Sequence, residues 1–527
     1  MTRATLMCGS ALMALGTMFL AGCSSEPPAA NTQPTASSAA DAQAAKPHPE
    51  QALLEDLTVA NRILGRELGI LDVQGHVTAR SRVNPNHYYI ARFVSPGGAS
   101  IGDFIENDLD SHPVHGPRND QAREIYLHGE IYKARPDVMA VVHAHTPEFV
   151  AFGMSSVPLW DRESRVPVWD IRPFNRGRSG IVSTPALGKA MAETLGRNEA
   201  VLLWGHGIAL GSGSLADVVS RVDDLRDSAQ LQQAAVSMGS AWKPQARAAD
   251  AGAGTSERTW EYYKRAVLKD TGGRVPASPE PTPEKPSDPD QATAHDLVLA
   301  NRILASGELG ILDTLGHVSV RNPRNPNSYF IAPRVAAGAV TAGDVVQRDM
   351  TKAEPDTQGL SIHDEVYKAR PDVMAVLYAR TPEIVAFTGP VKLRPVVNGG
   401  AFVGDGVPVF DAGSLDPRQP ILANPALGQG VAAALGKNGG VLLTGHGFVL
   451  TAGSIYNLVD RAYALRLNAV IQQQTIALRG KVAYLNDQPA QPVPATAQAE
   501  PAQTQAAPLG PPEGRAWIFW SQNVSLD

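Results

Sequence analysis

Apolar positions along this chain follow two rhythms, a helical one near 3.6 residues and short unbroken runs typical of buried strands. The segment DLTVANRILGRELGILDVQGHVTAR, from Asp56, opens with an amphipathic helix. Tyr88-Tyr89-Ile90-Ala91 has β character, and residues 121–134 predict a helix that stops before Arg135-Pro136. Residues 138–143 and 200–204 are apolar runs suited to buried strands. Ser214 is a good N-cap for a long helix that puts Leu215, Val218, Val219, Val222 and Leu225 on one face. This order of elements predicts an α/β layered domain.

The pattern then repeats. DLVLANRILASGELGILDTLGHVSVR, from Asp296, answers the opening segment; YKARPDVMAVVHAHTPEFVAF answers YKARPDVMAVLYARTPEIVAF, and LLWGHGIALGSGS answers LLTGHGFVLTAGS. Matching positions such as Arg62 and Arg302, or His206 and His446, keep nearly constant spacing. The chain therefore reads as a tandem duplication of a domain of about 200 residues, longer than any solenoid repeat. The first domain spans 51–270 and the second 291–487, separated by a Pro-rich linker at 271–290. A stretch rich in Pro, Ala and Gln follows at 488–513. In the closing aromatic segment, 514–527, Arg515-Ala516-Trp517-Ile518-Phe519-Trp520 is a worn copy of Arg258-Thr259-Trp260-Glu261-Tyr262-Tyr263.

Composition changes this picture mainly at the N-terminus. Among 527 residues with 48 Gly and 41 Pro, both cysteines fall within the first 23 positions. A short positive start, an apolar run from Ala4 to Phe19 and Leu20-Ala21-Gly22-Cys23 form a signal peptide at 1–22. Its ending resembles the lipobox of bacterial lipoproteins, which implies a lipid anchor at Cys23; ordinary secretion with an incidental cysteine is the alternative. By resemblance to lipoprotein sorting, Ser24 directs the protein to the outer membrane, facing the periplasm. Residues 23–50, poor in large apolar side chains, read as a flexible tether. With no later cysteine, disulfides and thiolate metal sites are excluded from the mature chain. A net charge of -6 gives nucleic acid no broad basic field to bind.

Candidate chemistry centres on His143-Ala144-His145. Residues two apart on a strand face the same way, so two imidazoles can share one metal. His206, between two glycines after another apolar run, supplies a third ligand if the strands are neighbours. Three His with an open fourth position is a catalytic Zn pattern. Taken alone, an H-x-H pair is better explained by core or solvent-facing histidines.

These residues sit among others that resemble the class II aldolase/adducin family across both repeats: Gly75-His76-Val77-Thr78-Ala79-Arg80, Gly102-Asp103 with Asp108, Glu124, Arg135-Pro136-Asp137 and Gly205-His206-Gly207. The resemblance implies two tandem class II aldolase-like α/β domains, with His143, His145 and His206 as metal ligands, Glu124 as acid/base and Zn as the favoured divalent metal. An exposed helix carboxylate is the plain alternative for Glu124. Family members make or break a carbon–carbon bond beside a carbonyl through a metal-stabilised enediolate. The phosphate-gripping sequences of the sugar-phosphate members are mostly missing at 91–97 and 121–123, and His76 stands where those members have asparagine. The chain is more similar to the decarboxylase-type branch, with His76 a substrate-binding candidate and Arg92 and Arg123 either gripping a substrate carboxylate or lying on the surface.

Repeat two has Gly359, Tyr378 and Arg380 in place of Glu124, His143 and His145, and keeps only His446. A guanidinium cannot become a ligand, so this copy loses the metal site. Two readings follow. One is a metal-dependent lyase acting on a small hydroxy or keto acid or a sugar-derived substrate by aldol cleavage or decarboxylation. The other is a non-catalytic, adducin-like binding or scaffold module tethered to the membrane. Family resemblance also implies a homo-oligomer in which two chains form a four-domain ring, and a composite site in which Asn398 or Phe402 of repeat two assists repeat one; simple drift after duplication is the alternative.

Overall fold

The structure, a computed structural model, describes residues 48–115, 121–162, 164–174, 180–240, 255–352, 359–415, 424, 426–478, 482–485 and 513–526. The signal peptide, Cys23, nearly all of the tether and nearly all of the 488–513 stretch lie outside them.

Repeat one begins with α1 (Gln51–Arg62), which continues into a wider turn at Ile63–Glu67. Its sheet holds β1 (His76–Arg80), β2 (His87–Ala91), β3 (Phe104–Asp108), β4 (Ala140–Ala144), β7 (Val168–Trp169), β8 (Ala200–Leu203) and β9 (Gly207–Ser212). A separate two-stranded ribbon is made by β5 (Trp160–Asp161) and β6 (Ser164–Arg165). The seven strands run in the order β3-β2-β1-β4-β9-β8-β7, antiparallel except for the β7–β8 pair. Helices are α2 (Ile125–Ala134), α3 (Pro147–Met154), α4 (Pro185–Leu195), α5 (Leu215–Ser237) and α6 (Thr255–Val267).

Strand alternation sorts the core into two layers. Val77, Ala140, Val142, Leu202, Ile208 and Leu210 pack beneath α1, α3, α5 and α6. Val141, Val201, Leu203 and Ala209 face the other way, against α2 and α4. His143 follows Val141 by two positions and is carried to that second face, fully buried. Ser214 caps α5 by accepting a hydrogen bond from Asp217 N, as its sequence indicates. α2 is shorter than the 121–134 expectation. Gln121 forms a backbone bridge with Arg92 and its amide reaches Asn107, which leaves Glu124 as the cap before the helix.

Repeat two rebuilds the layers with α7 (Pro289–Ala305), β10 (His317–Arg321), β11 (Ser328–Ile331), β12 (Val346–Asp349), α8 (Leu360–Ala369), β13 (Ala375–Ala379), α9 (Pro382–Val385), β14 (Val409–Phe410), α10 (Ala426–Leu435), β15 (Gly440–Leu443), β16 (Gly447–Ala452) and α11 (Ile455–Ala477). Its sheet order, β12-β11-β10-β13-β16-β15-β14, matches that of repeat one strand for strand. Register agrees too: His76 lies opposite His143 in one sheet, and His317 opposite Tyr378 in the other.

The repeats share apolar surface. Val150, Met154 and Trp204 of repeat one pack with Val396, Val397 and Ile471 of repeat two. Val73 joins the core of repeat two, and Leu478 joins that of repeat one. The Pro-rich segment is more than a spacer. Pro276 and Ala277 accept hydrogen bonds from Ile101 and Gly102, and Glu280 binds both Arg62 and Arg66. The closing helix α12 (Gly514–Gln522) tucks Trp517, Phe519 and Trp520 into the core of repeat two, while the Phe519 ring also lies against Gly97 of repeat one. Among the described residues, no helix is long and apolar enough to cross a membrane.

Candidate metal centre

Three strands of repeat one end at one place. His143 is the penultimate residue of β4, His145 lies just past its end, and His206 occupies the turn joining β8 to β9. The turn needs its glycines. Gly205 has φ of 62°, and a Cβ on Gly207 would sit 2.1 Å from the carbonyl oxygen of Ala144. The carboxylate of Glu124 comes in from the start of α2.

One ligand atom from each of Glu124, His143, His145 and His206 lies within 4.8 Å of the others. Glu124 Oε2 is 3.4 Å from His143 Nε2 and 3.3 Å from His206 Nε2, while the Nε2 atoms of His143 and His145 are 3.0 Å apart. Each imidazole is held through its other nitrogen. His143 Nδ1 lies 2.9 Å from the Ile208 carbonyl, His206 Nδ1 2.8 Å from the Gly180 carbonyl and His145 Nδ1 3.1 Å from Asp72 Oδ1. Such acceptors fix the proton on Nδ1 and leave Nε2 as a lone-pair donor pointed at the cluster. Three Nε2 donors and a carboxylate oxygen fit a divalent cation by number, type and convergence.

Charges at Glu124 and His143 agree with that fit. Burial raises the Glu124 carboxyl, but His206 and His143 outweigh it and hold the group well below its ordinary range. Burial keeps His143 below its ordinary value, favouring the neutral ligand form. His145 is opposed by burial yet raised by Asp72, whose own carboxyl is brought down to about 2 by His145 and backbone donors despite its burial.

His76 sits beside this cluster, its ring 5.3 Å from that of His143. It also starts a buried chain: His76 Nδ1 to His128 Nε2 at 2.9 Å, His128 Nδ1 to Thr78 Oγ1 at 2.9 Å, and Thr78 Oγ1 to the Tyr132 hydroxyl at 2.9 Å. Repeat two retains the same chain through His317, His363, Ser319 and Tyr367. Because the copy without the metal ligands keeps it, the chain belongs to the fold at least as much as to any chemistry. Arg92 is committed to the buried Asp103, with Nε 2.7 Å from Oδ1, and Arg123 is exposed. Asn398 opens a 3-10 turn, Asn398–Val403, and its side chain lies outside the described residues. Phe402 packs under Arg461 and against Gly439 inside repeat two.

Sequence reasoning passed over Asp72, although the repeated Gly-Ile-Leu-Asp of both copies displays it. It also missed Arg515, whose Nη2 donates to the Gln74 carbonyl at 3.1 Å and to Gln74 Oε1. Among the described residues of repeat two the cluster is absent. Gly359 caps α8 with φ of 79°, the Tyr378 hydroxyl donates to the His446 carbonyl at 3.2 Å, and Arg380 binds Asp313 Oδ2 at 2.6 Å. A surface cleft of 420 Å³ between Arg162, Arg165, Arg197 and Glu199 includes none of the clustered residues.

Comparison with known proteins places this geometry in context. The sequence family described as "Class II Aldolase and Adducin N-terminal domain" matches residues 55–233 and again 295–473, more than half of the chain. Decarboxylase tropJ of Talaromyces stipitatus is 30% identical over 194 residues, 33% of this chain and 73% of that protein. The 3,4-dihydroxyphthalate decarboxylase of Arthrobacter keyseri is 31% identical over 210 residues, covering 36% and 79%. Among solved structures, an aldolase II superfamily protein from Pseudomonas syringae is similar at 21% identity and a TM-score of 0.37, over 43% of this chain and 96% of that one. With the family matched twice along its length, the chain belongs to the class II aldolase and adducin family as a tandem pair of its domains.

Proposed function

We propose that repeat one is a metal-dependent lyase that breaks a carbon–carbon bond in a small hydroxy or keto acid, by decarboxylation in preference to aldol cleavage, and that repeat two is its scaffold. The observation carrying this reading is the convergence of three Nε2 atoms and Glu124 Oε2 within 4.8 Å, each imidazole oriented from behind. The decarboxylases among the similar proteins support the choice of reaction.

His143, His145 and His206 would hold a divalent cation, most fittingly Zn. When bound, it supplies a Lewis acid for negative charge developing beside the scissile bond. Glu124 provides the proton traffic. Its Oε1 accepts a hydrogen bond from Val182 N at 2.9 Å, which fixes the carboxylate and leaves Oε2 toward the cluster. Kept ionised, it takes a proton from a substrate hydroxyl as the carbon–carbon bond breaks and returns it to the carbon that keeps the electron pair. Burial of Glu124 and His143 keeps bulk water from protonating that carbon out of turn.

The test is turnover of hydroxy-carboxy aromatic acids, followed by carbon dioxide release, with Glu124→Gln as control. We expect the variant to keep its metal and lose activity by at least about 100-fold. Full activity in Glu124→Gln, or no turnover across hydroxy- and keto-acids by metal-loaded wild type, contradicts the reading.

A further inference from the structure

The last described helix belongs to repeat two, yet its first turn reaches repeat one. Arg515, 8% exposed, is hydrogen-bonded through Nη2 to the carbonyl and side-chain oxygens of Gln74. Gln74 lies on the short loop between Asp72, which orients His145, and His76, which touches His143. The guanidinium carbon stands 4.1 Å over the ring of Phe93. This contact with the ring helps to orient the fork. Phe519 anchors the same helix, its ring filling the space beside Gly97.

Held this firmly, Arg515 still lacks an anionic partner. No carboxylate stands within ion-pair distance of it among the described residues, and its buried Nε has no hydrogen-bond partner. A buried guanidinium with unused donors is costly unless an anion completes it. The nearby acidic groups that influence it, Asp72 and Glu124, are engaged by His145, His143 and His206. With a divalent cation held by the histidines, those two carboxylates balance the metal. Arg515 is then left with one net positive charge at the rim of the site.

We propose that Arg515, delivered by repeat two, receives the substrate's carboxylate in repeat one and so selects for acids. This rests on the metal-lyase reading above. It gives the composite site a different donor from Asn398 or Phe402, and gives repeat two a part in specificity beyond scaffolding. The internal comparison agrees: in repeat two Leu315 replaces Gln74, Arg334 replaces Phe93, and the matching Arg258 of α6 is exposed. The arginine's cradle is thus present only where the metal cluster is.

Binding to Zn-loaded protein tests it, with 3,4-dihydroxybenzoate and catechol as probes that share vicinal hydroxyls and differ in the carboxylate. Metal content is measured on the same samples, so that loss of metal in wild type, which defeats the lyase reading, is told apart from loss of acid selection. Wild type should bind the acid at least about tenfold more tightly than catechol, as expected for a charge-assisted pair. In Arg515→Met the preference should vanish while metal content and catechol affinity stay. Arg515→Lys, which keeps the charge without the fork, should lose part of it and carries the test if the Met variant does not fold. An acid-to-catechol ratio unchanged in either variant, or no preference in wild type, overturns the proposal.

Discussion

His145 presents Nδ1 to Asp72 Oδ1 at 3.1 Å, and this contact turns its other nitrogen toward the metal cluster. Repeat two keeps the acid as Asp313 but binds Arg380 with it, at 2.6 Å, so the orienting carboxylate outlives the ligand it once served. Asp72→Asn removes the charge and keeps the shape. We expect about 10- to 100-fold weaker Zn affinity, measured by competition with a chelator, and unchanged affinity would assign the orientation of His145 to packing alone.

The same pair sets a pH window for the metal-free protein. Asp72 is depressed from 3.8 to about 2, so its stabilisation of about 2 kcal/mol is present above the unfolded value and lost as pH falls through the folded one. His145 is raised above 6.5; its contribution is complete below that value and lost as pH climbs through the higher folded one. In urea unfolding of metal-free protein the pair's own contribution, the stability of wild type less that of Asp72→Asn, should therefore be greatest in the mildly acidic range and shrink on both sides. The buried His76, His128 and His143, held below their ordinary values, cost stability as pH falls in both proteins and cancel in the difference; a difference that does not vary with pH would mean that the pair does not set this window.

Much of this was legible in the sequence, and the gaps have physical causes. The duplication, the buried strands, the cap at Ser214 and the pairing of His143 with His145 follow from local pattern, because strand periodicity acts over a few residues, whereas His206 joined that pair only through the family resemblance. The start of α2 did not, since Gln121 is drawn into a bridge with Arg92 that no helical periodicity reveals. Arg515 and Gln74 are 441 residues apart, and only the packing of repeat two against repeat one brings them together.

The Phe519 contact should matter for stability as well as for placing Arg515. Its ring is 6% exposed, and truncation to alanine leaves a cavity between the repeats. A loss of about 3 kcal/mol is expected for Phe519→Ala in chemical denaturation. Gly97→Val, whose Cβ would meet the Phe519 ring at 2.6 Å, should also destabilise. Stability equal to wild type in both would mean that α12 docks by other contacts.

Anchoring is a proposal from sequence, resting on Leu20-Ala21-Gly22-Cys23. Expressed in a Gram-negative host, the full chain should fractionate with outer membranes, and Cys23→Ser should release it or leave it unprocessed. A cytosolic pool carrying residues 1–22 intact would reject the anchor.

On the reading proposed here, one repeat holds a metal and the other does not. Elemental analysis of the purified chain after dialysis tests it most directly, alongside His143→Ala and Tyr378→Phe. The account predicts about one divalent ion per chain in wild type and in Tyr378→Phe, and none in His143→Ala, as three-histidine coordination requires. Two ions per chain, or one ion retained in His143→Ala, would contradict it.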